Sequence, residues 1–195
     1  MADPAAPTFW NVPNTLTVGR LGLSAVVFAL IARELWFAAV VVFGLAALSD
    51  ALDGYLARKL NQETTLGRQL DPLVDKVIVA GSYIYLLTVK ETGLQPWMVT
   101  TVVIRELLIQ GLRSHLEGGG QAFGAKTAGK IKTTFQCLSI SAILLGLSTQ
   151  PAAGSAWLLG RDALTWAAVV MTLYSGLGYV VAAIPALKGK VAGSL

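Results

Sequence analysis

At 195 residues, with 54% hydrophobic and 13% charged residues and a mean hydropathy of +0.63, the chain is too apolar for an ordinary soluble domain. It reads as one helical membrane domain over residues 1–195. The net charge of +4 does not make it a nucleic-acid binder, because its 15 Lys and Arg are not gathered into one run; they read as residues lying beside anionic headgroups. One cysteine, Cys137, excludes an intrachain disulfide and reads as a packed helix residue.

Residues 1–10, MADPAAPTFW, lack the basic region of a cleaved signal, so insertion through the chain's own helices is expected. Residues 1–20 form an N-terminal interfacial segment in this reading, with Phe9 and Trp10 near headgroup level and Arg20 ahead of the first apolar run. Four apolar runs follow: Leu21 to Ala32, Leu35 to Ser49, Val77 to Val89 and Thr92 to Ile104. Each is shorter than the roughly 20 residues that cross a bilayer. The helices are therefore expected to continue through charged residues.

Between the second and third runs lie Asp50, Asp53, Asp71 and Asp75, with a polar turn expected over residues 59–66. The spacings of three and four residues put each pair on one helix face. Along a helix, Asp50 lies about 22 Å from Leu35 and Asp75 about 21 Å from Val89, so both pairs reach a similar depth. Four carboxylates repel one another unless cations intervene, and an all-oxygen donor set suits hard ions such as Mg²⁺ or Mn²⁺ rather than zinc.

Helix four is expected to start near Pro96 and Trp97 and to carry Arg105, Glu106 and Arg113. Residues 114–128 are glycine-rich and polar and read as a loop, with His115 solvated within it. Helix five is expected from about Gly129 to Leu147, beginning with Lys130, Lys132, Thr133 and Thr134. A second connection covers 148–161, helix six runs from Ala163 to Leu187, and Lys188 and Lys190 follow. The fold expected is all-α, a polytopic membrane protein with six transmembrane helices. Arg20, Arg58, Lys59, Arg68, Arg113, Lys126, Lys130, Lys132, Lys188 and Lys190 then fall on the side of the acids, against Arg33, Lys90 and Arg161 opposite. That asymmetry makes the acid-bearing side cytoplasmic. Trp10, Trp36, Trp97 and Trp157, near span ends, need only the aromatic-belt explanation.

Written as a pattern, the central stretch is Asp50-x2-Asp53-Gly54-x2-Ala57-Arg58-x8-Gly67-x3-Asp71-x3-Asp75. It resembles the signature of the CDP-alcohol phosphotransferase family at every position. Pro13-Asn14-x-Leu16-Thr17-x2-Arg20, Arg105-Glu106-Leu107 and Gly129-Lys130-x-Lys132-Thr133-Thr134-x-Gln136 are similar to the bacterial branch of that family that makes phosphatidylglycerophosphate. The resemblance implies a six-helix membrane enzyme, usually a homodimer, whose active site faces the cytoplasm at the bacterial inner membrane. It also implies CDP-diacylglycerol as donor, glycerol 3-phosphate as acceptor and CMP as a product.

On that basis Asp50, Asp53 and Asp71 are metal ligands, with Asp75 sharing one of two ions and serving as general base. Gly54, Ala57 and Gly67 leave room for the nucleotide, although small residues also simply let membrane helices pack closely. Arg58 binds donor phosphate or snorkels to the interface. Arg105, Arg113, Lys130 and Lys132 are the candidates for the acceptor's phosphate; Arg105 suits a structural pairing with Glu106 or another helix equally well. Thr133 and Thr134 are open to bonding their own helix backbone. Two other readings compete. A sister enzyme would take inositol phosphate, serine or another alcohol, and an ion or metal transporter would use the acids as a pathway. A non-catalytic scaffold would leave four costly carboxylates unexplained.

Overall fold

The computed structural model describes residues 12–60, 65–118, 127–152 and 155–192; side chains are described at these positions except 12–17, 50–60, 65–73, 75, 117–118, 127 and 185–192. Six α-helices and one short 3₁₀ turn account for the described secondary structure, with no strand among the described residues. The helices are α1 (Val12–Ala32), α2 (Trp36–Leu60), α3 (Thr65–Leu87), α4 (Pro96–Gly118), α5 (Thr127–Thr149) and α6 (Ala156–Ala192); the 3₁₀ turn, Lys90–Thr92, precedes α4. The shortest has 21 residues, about 32 Å of helix against a hydrocarbon core of about 30 Å. Ala128–Thr149 and Ala156–Ile184 are long and apolar enough to cross a membrane, and shorter apolar stretches occupy Val18–Ala32, Trp36–Ser49 and Lys76–Leu87. This is the architecture of a polytopic membrane protein, in which helices complete their length through charged residues, as α2 does through Asp50, Asp53 and Arg58.

Several boundaries differ from those the sequence suggests. The segment expected at the interface is helical from Val12, and Arg20 within it is buried. The loop expected over 114–128 is narrower, because α4 continues to Gly118 and α5 starts at Thr127; His115 stands exposed in the last turn of α4. Residues 119–126 lie outside the described residues, as do 61–64 of the polar turn expected between α2 and α3. The connection expected over 148–161 shrinks further, since α5 runs to Thr149 and α6 begins at Ala156. Helix α6 also continues through Lys188 and Lys190. The reason for its early start is tertiary. Arg161, a loop residue by its polarity, is neutralised by Asp162 and donates to the Glu91 carbonyl at 2.6 Å. Gly146 on α5 leaves space for Trp157, whose Nε1 lies 3.0 Å from where a Cβ would stand.

The chain divides into two compact units, Met1–Ser82 and Tyr83–Leu195. In the first, α1 and α2 pack together through buried Val27, Ile31, Ala39, Phe43 and Ala46. Their connection is a tight left-handed cap. Glu34 has φ 59, its N–H donates to Ile31 O at 3.0 Å, and the Leu35 N–H donates to Leu30 O at 2.9 Å; together these bonds satisfy the helix's last carbonyls. On α3, a Cβ at Gly81 would meet Phe28 Cζ at 2.2 Å, so only glycine admits that ring.

In the second unit the pairings give the helix directions. Trp97 stacks at a tilt on Trp166, 5.6 Å between centroids, and Arg105 reaches Ser175, so α4 runs parallel to α6. Gln136 Nε2 donates to Thr172 Oγ1 at 3.0 Å and Ser139 shares a 3.0 Å hydrogen bond with Thr165, so α5 runs antiparallel to α6. The Tyr83 hydroxyl donates to the Gln136 carbonyl at 3.4 Å. The buried face of α5 reads Lys132, Gln136, Ser139, Ile140, Ile143, Leu144 and Leu147, a helical stripe that is polar at one end. Outward-facing α6 residues such as Leu159, Val170, Leu173, Leu177 and Val181 are apolar and exposed, as lipid contact requires. Interhelical hydrogen bonds in membranes average about 0.6 kcal/mol each, so this ladder fixes register more than it adds stability.

Candidate active site

The acid-bearing stretch is carried on continuous helix. Asp50, Asp53, Gly54, Ala57 and Arg58 belong to α2, and Gly67, Asp71 and Asp75 to α3. The side chains of all eight lie outside the described residues. The helical backbone through both pairs gives Asp50 and Asp53, three residues apart, one face of α2, and Asp71 and Asp75, four apart, one face of α3. Four carboxylates supply only hard oxygen donors, which fits a divalent cation of the Mg²⁺ or Mn²⁺ kind. Among the described residues no group of three His, Cys, Asp or Glu is placed to hold a metal ion.

The basic candidates separate more sharply. Along α4 the buried stripe is Met98, Val99, Val102, Glu106, Ile109 and Leu116, and Glu106 is its one charged member. At about 15 Å from Pro96 this carboxylate sits near the middle of a bilayer-length helix, where an unpaired charge is very costly. It is paired twice. Glu106 Oε1 accepts from Arg105 Nη1 at 3.3 Å and from Lys132 Nζ of α5. Arg105 Nη2 donates to Ser175 Oγ of α6, and the guanidinium carbon stands 5.6 Å from the centre of the Tyr179 ring, a cation–π distance. Glycine makes the space: a Cβ at Gly176 would lie 3.1 Å from Arg105 Cγ, and one at Gly129 3.3 Å from the Tyr179 hydroxyl oxygen.

Of the four basic residues expected at the acceptor's phosphate, Arg105 and Lys132 therefore meet on one carboxylate. Arg113 lies eight residues beyond Arg105 on α4, half-buried, and Lys130 is exposed at the start of α5. Thr133 and Thr134 bond their own helix, donating to Gly129 O at 3.1 Å and Lys130 O at 3.2 Å. Sequence reasoning missed Ser175 and Tyr179, which sit in a stretch that reads as generic apolar helix. A small polar residue beside Gly176, with an aromatic four positions on, was the signal available.

Comparison with known proteins bears on the same residues. A family model described as CDP-alcohol phosphatidyltransferase matches residues 10–174, which takes in the aspartate stretch, Arg105, Glu106 and Lys132. The chain belongs to the CDP-alcohol phosphatidyltransferase family. It is 35% identical over 191 residues to the CDP-diacylglycerol–glycerol-3-phosphate 3-phosphatidyltransferase of Bacillus subtilis (strain 168), covering 87% of this chain and 93% of that protein. It is also 35% identical over 192 residues to the Escherichia coli (strain K12) protein of the same name, covering 89% and 95%. A third relative of that name, from Cereibacter sphaeroides, is 35% identical over 165 residues, covering 80% of this chain and 72% of its own length. CDP-alcohol phosphatidyltransferases are enzymes and are generally dependent on divalent metals, in keeping with the all-oxygen donor set of α2 and α3.

Proposed function

We propose that this protein transfers the phosphatidyl group of CDP-diacylglycerol to the hydroxyl of sn-glycerol 3-phosphate, giving phosphatidylglycerophosphate and CMP for phospholipid biosynthesis. The observation that carries this reading is its match along most of its length to relatives named for that reaction. The two units work as one catalytic domain in this proposal, as a homodimer in the bacterial inner membrane, with the acids towards the cytoplasm.

The reaction breaks the bond from the phosphatidyl phosphorus to the oxygen it shares with CMP and forms one to the acceptor oxygen; the hydroxyl proton must leave. Asp75 takes it. Asp50, Asp53 and Asp71, with Asp75 shared, hold two Mg²⁺ or Mn²⁺ ions, which when bound offset the charge of the pyrophosphate and of the leaving oxygen. Gly54, Ala57 and Gly67 leave space for the cytidine nucleotide, and Arg58 pairs with donor phosphate. The acceptor carries its own phosphate and needs cations distinct from those of the donor. Arg105, Arg113, Lys130 and Lys132 supply them.

Purified protein given CDP-diacylglycerol with glycerol 3-phosphate, serine or inositol phosphate should release CMP with the first. Turnover with serine but not glycerol 3-phosphate would overturn the choice of acceptor. Asp50→Ala should abolish CMP release and remove most of the thermal stabilisation that Mg²⁺ or Mn²⁺ gives; an active variant that still responds to metal would contradict the ligand assignment.

A further inference from the structure

Arg20 is a buried cation that the mechanism leaves unused. Within the unit Met1–Ser82, the buried residues of α1 are Arg20, Ser24, Val27 and Ile31, spaced as one stripe of a helix. The stripe is apolar towards the turn at Glu34 and charged at its other end. Only 5% of Arg20 is exposed, and the Ser24 hydroxyl one turn away is spent on its own helix, donating to the Arg20 carbonyl at 2.9 Å. A guanidinium inside a membrane bundle is tolerated where an acid balances it.

Register shows which acids share its depth. The buried stripe of α2 is Ala39, Phe43 and Ala46, and its next positions, four and seven residues on, are Asp50 and Asp53. The three-residue turn makes α1 and α2 antiparallel from a common origin. Counted from that turn, Arg20 lies about 18 Å along α1 and Asp50 about 21 Å along α2. Four residues between α2 and α3 are too few for α3 to start from the far end of a 25-residue helix, and Gly81 of α3 meets Phe28 of α1. Helix α3 therefore runs back beside α1. From the Phe28–Gly81 contact, Arg20 is about 12 Å away along α1, while Asp75 and Asp71 are about 9 and 15 Å away along α3. Both acids continue the buried stripe of Val74, Ile78 and Ser82. Glu34, by contrast, sits at the turn, about 21 Å of helix from Arg20.

We propose that Arg20 is a positioning residue of the aspartate cluster: a resident counter-cation, placed against Asp50, that balances the acids while no metal is bound and gives up that role when a divalent ion enters. This inference rests on the reading of the aspartates as metal ligands and deepens it. Four like charges at one depth repel each other in a medium that screens them poorly, and a guanidinium fixed in α1 keeps the unit folded before any ion arrives. The same positive charge opposes the incoming ion, so Arg20 also sets how tightly the metal is held.

The test uses the full chain in lipid nanodiscs, with free Mn²⁺ followed by its paramagnetic resonance signal and thermal unfolding followed in EDTA and in saturating Mn²⁺. Arg20→Gln should bind Mn²⁺ about tenfold more tightly than the unaltered protein, because a like charge beside the ion is gone. Its unfolding midpoint should fall in EDTA, and Mn²⁺ should restore most of the difference. Arg20→Lys keeps the charge and should stay within about twofold of the original affinity. Arg33→Gln, exposed at the turn, should leave it unchanged. A merely structural role for Arg20 would lower the midpoint equally with and without metal and leave Mn²⁺ affinity where it was.

Unchanged or weaker Mn²⁺ binding by folded Arg20→Gln would remove Arg20 from the cluster. Should that variant fail to fold without metal, Arg20→Gln/Asp50→Asn decides, since it removes both charges: a recovered midpoint in EDTA supports the pairing, and a further loss overturns it. No Mn²⁺ binding by the unaltered protein would instead sink the assignment of the aspartates as ligands.

Discussion

Two arginines of the second unit, Arg105 and Arg161, each reach a partner 70 residues away in the chain, and each also pairs with the acid that follows it. Their side chains are equally buried, at 10% relative exposure, but the partner carboxylates are not: Glu106 is 5% exposed and Asp162 50%. Water therefore shares the load at Asp162 and is shut out at Glu106. An ion pair open to solvent on one side contributes little net stability, whereas removing one member of a buried pair strands a charge. The same residue types in adjacent positions thus pin a loop at one end of the unit and form a costly charged junction in its interior.

That contrast can be broken in order of expected size. Glu106→Ala should cost about 3–5 kcal/mol, read as a large fall in the thermal unfolding midpoint in detergent; a loss below about 1 kcal/mol would mean that water already reaches the junction. Gly176→Ala pushes a methyl group against the Arg105 stem and should cost about 1–3 kcal/mol, and pairing it with Arg105→Met should recover part of the loss. Arg161→Met gives up the bond to the Glu91 carbonyl and should cost about 1 kcal/mol after allowing for its partly exposed setting. Faster proteolysis at the Lys90–Thr92 turn would accompany it. Asp162→Asn should change stability by at most about 0.5 kcal/mol, and raising the salt concentration should shrink even that. A loss at Asp162 as large as that at Glu106 would abolish the distinction.

The same contrast explains what could be read without coordinates. The aspartate signature is legible because all of its residues fall within 26 consecutive positions of α2 and α3, so local helical spacing alone places each pair on a face. The start of α4 was equally clear, since Pro96 and Trp97 announce it by themselves. The junction at Glu106 draws on α4, α5 and α6 at once, and Ser175 and Tyr179 carry no mark of their role until the helices are packed. Arg161 misled for the matching reason. Its charge suggests a loop, and only the carbonyl of Glu91 and the carboxylate of Asp162 make it acceptable within α6.

The cap at Glu34 constrains how the chain enters a membrane. With only three residues between α1 and α2 and the turn closed by its own backbone bonds, neither helix has the slack to be placed alone. The two enter as one hairpin with residues 33–35 at its tip. Arg33 and Glu34 sit at that tip together, and their opposite charges lower the electrostatic cost that either would carry alone beside hydrocarbon. The turn that holds the finished helices together is thus also what ties their insertion into one step.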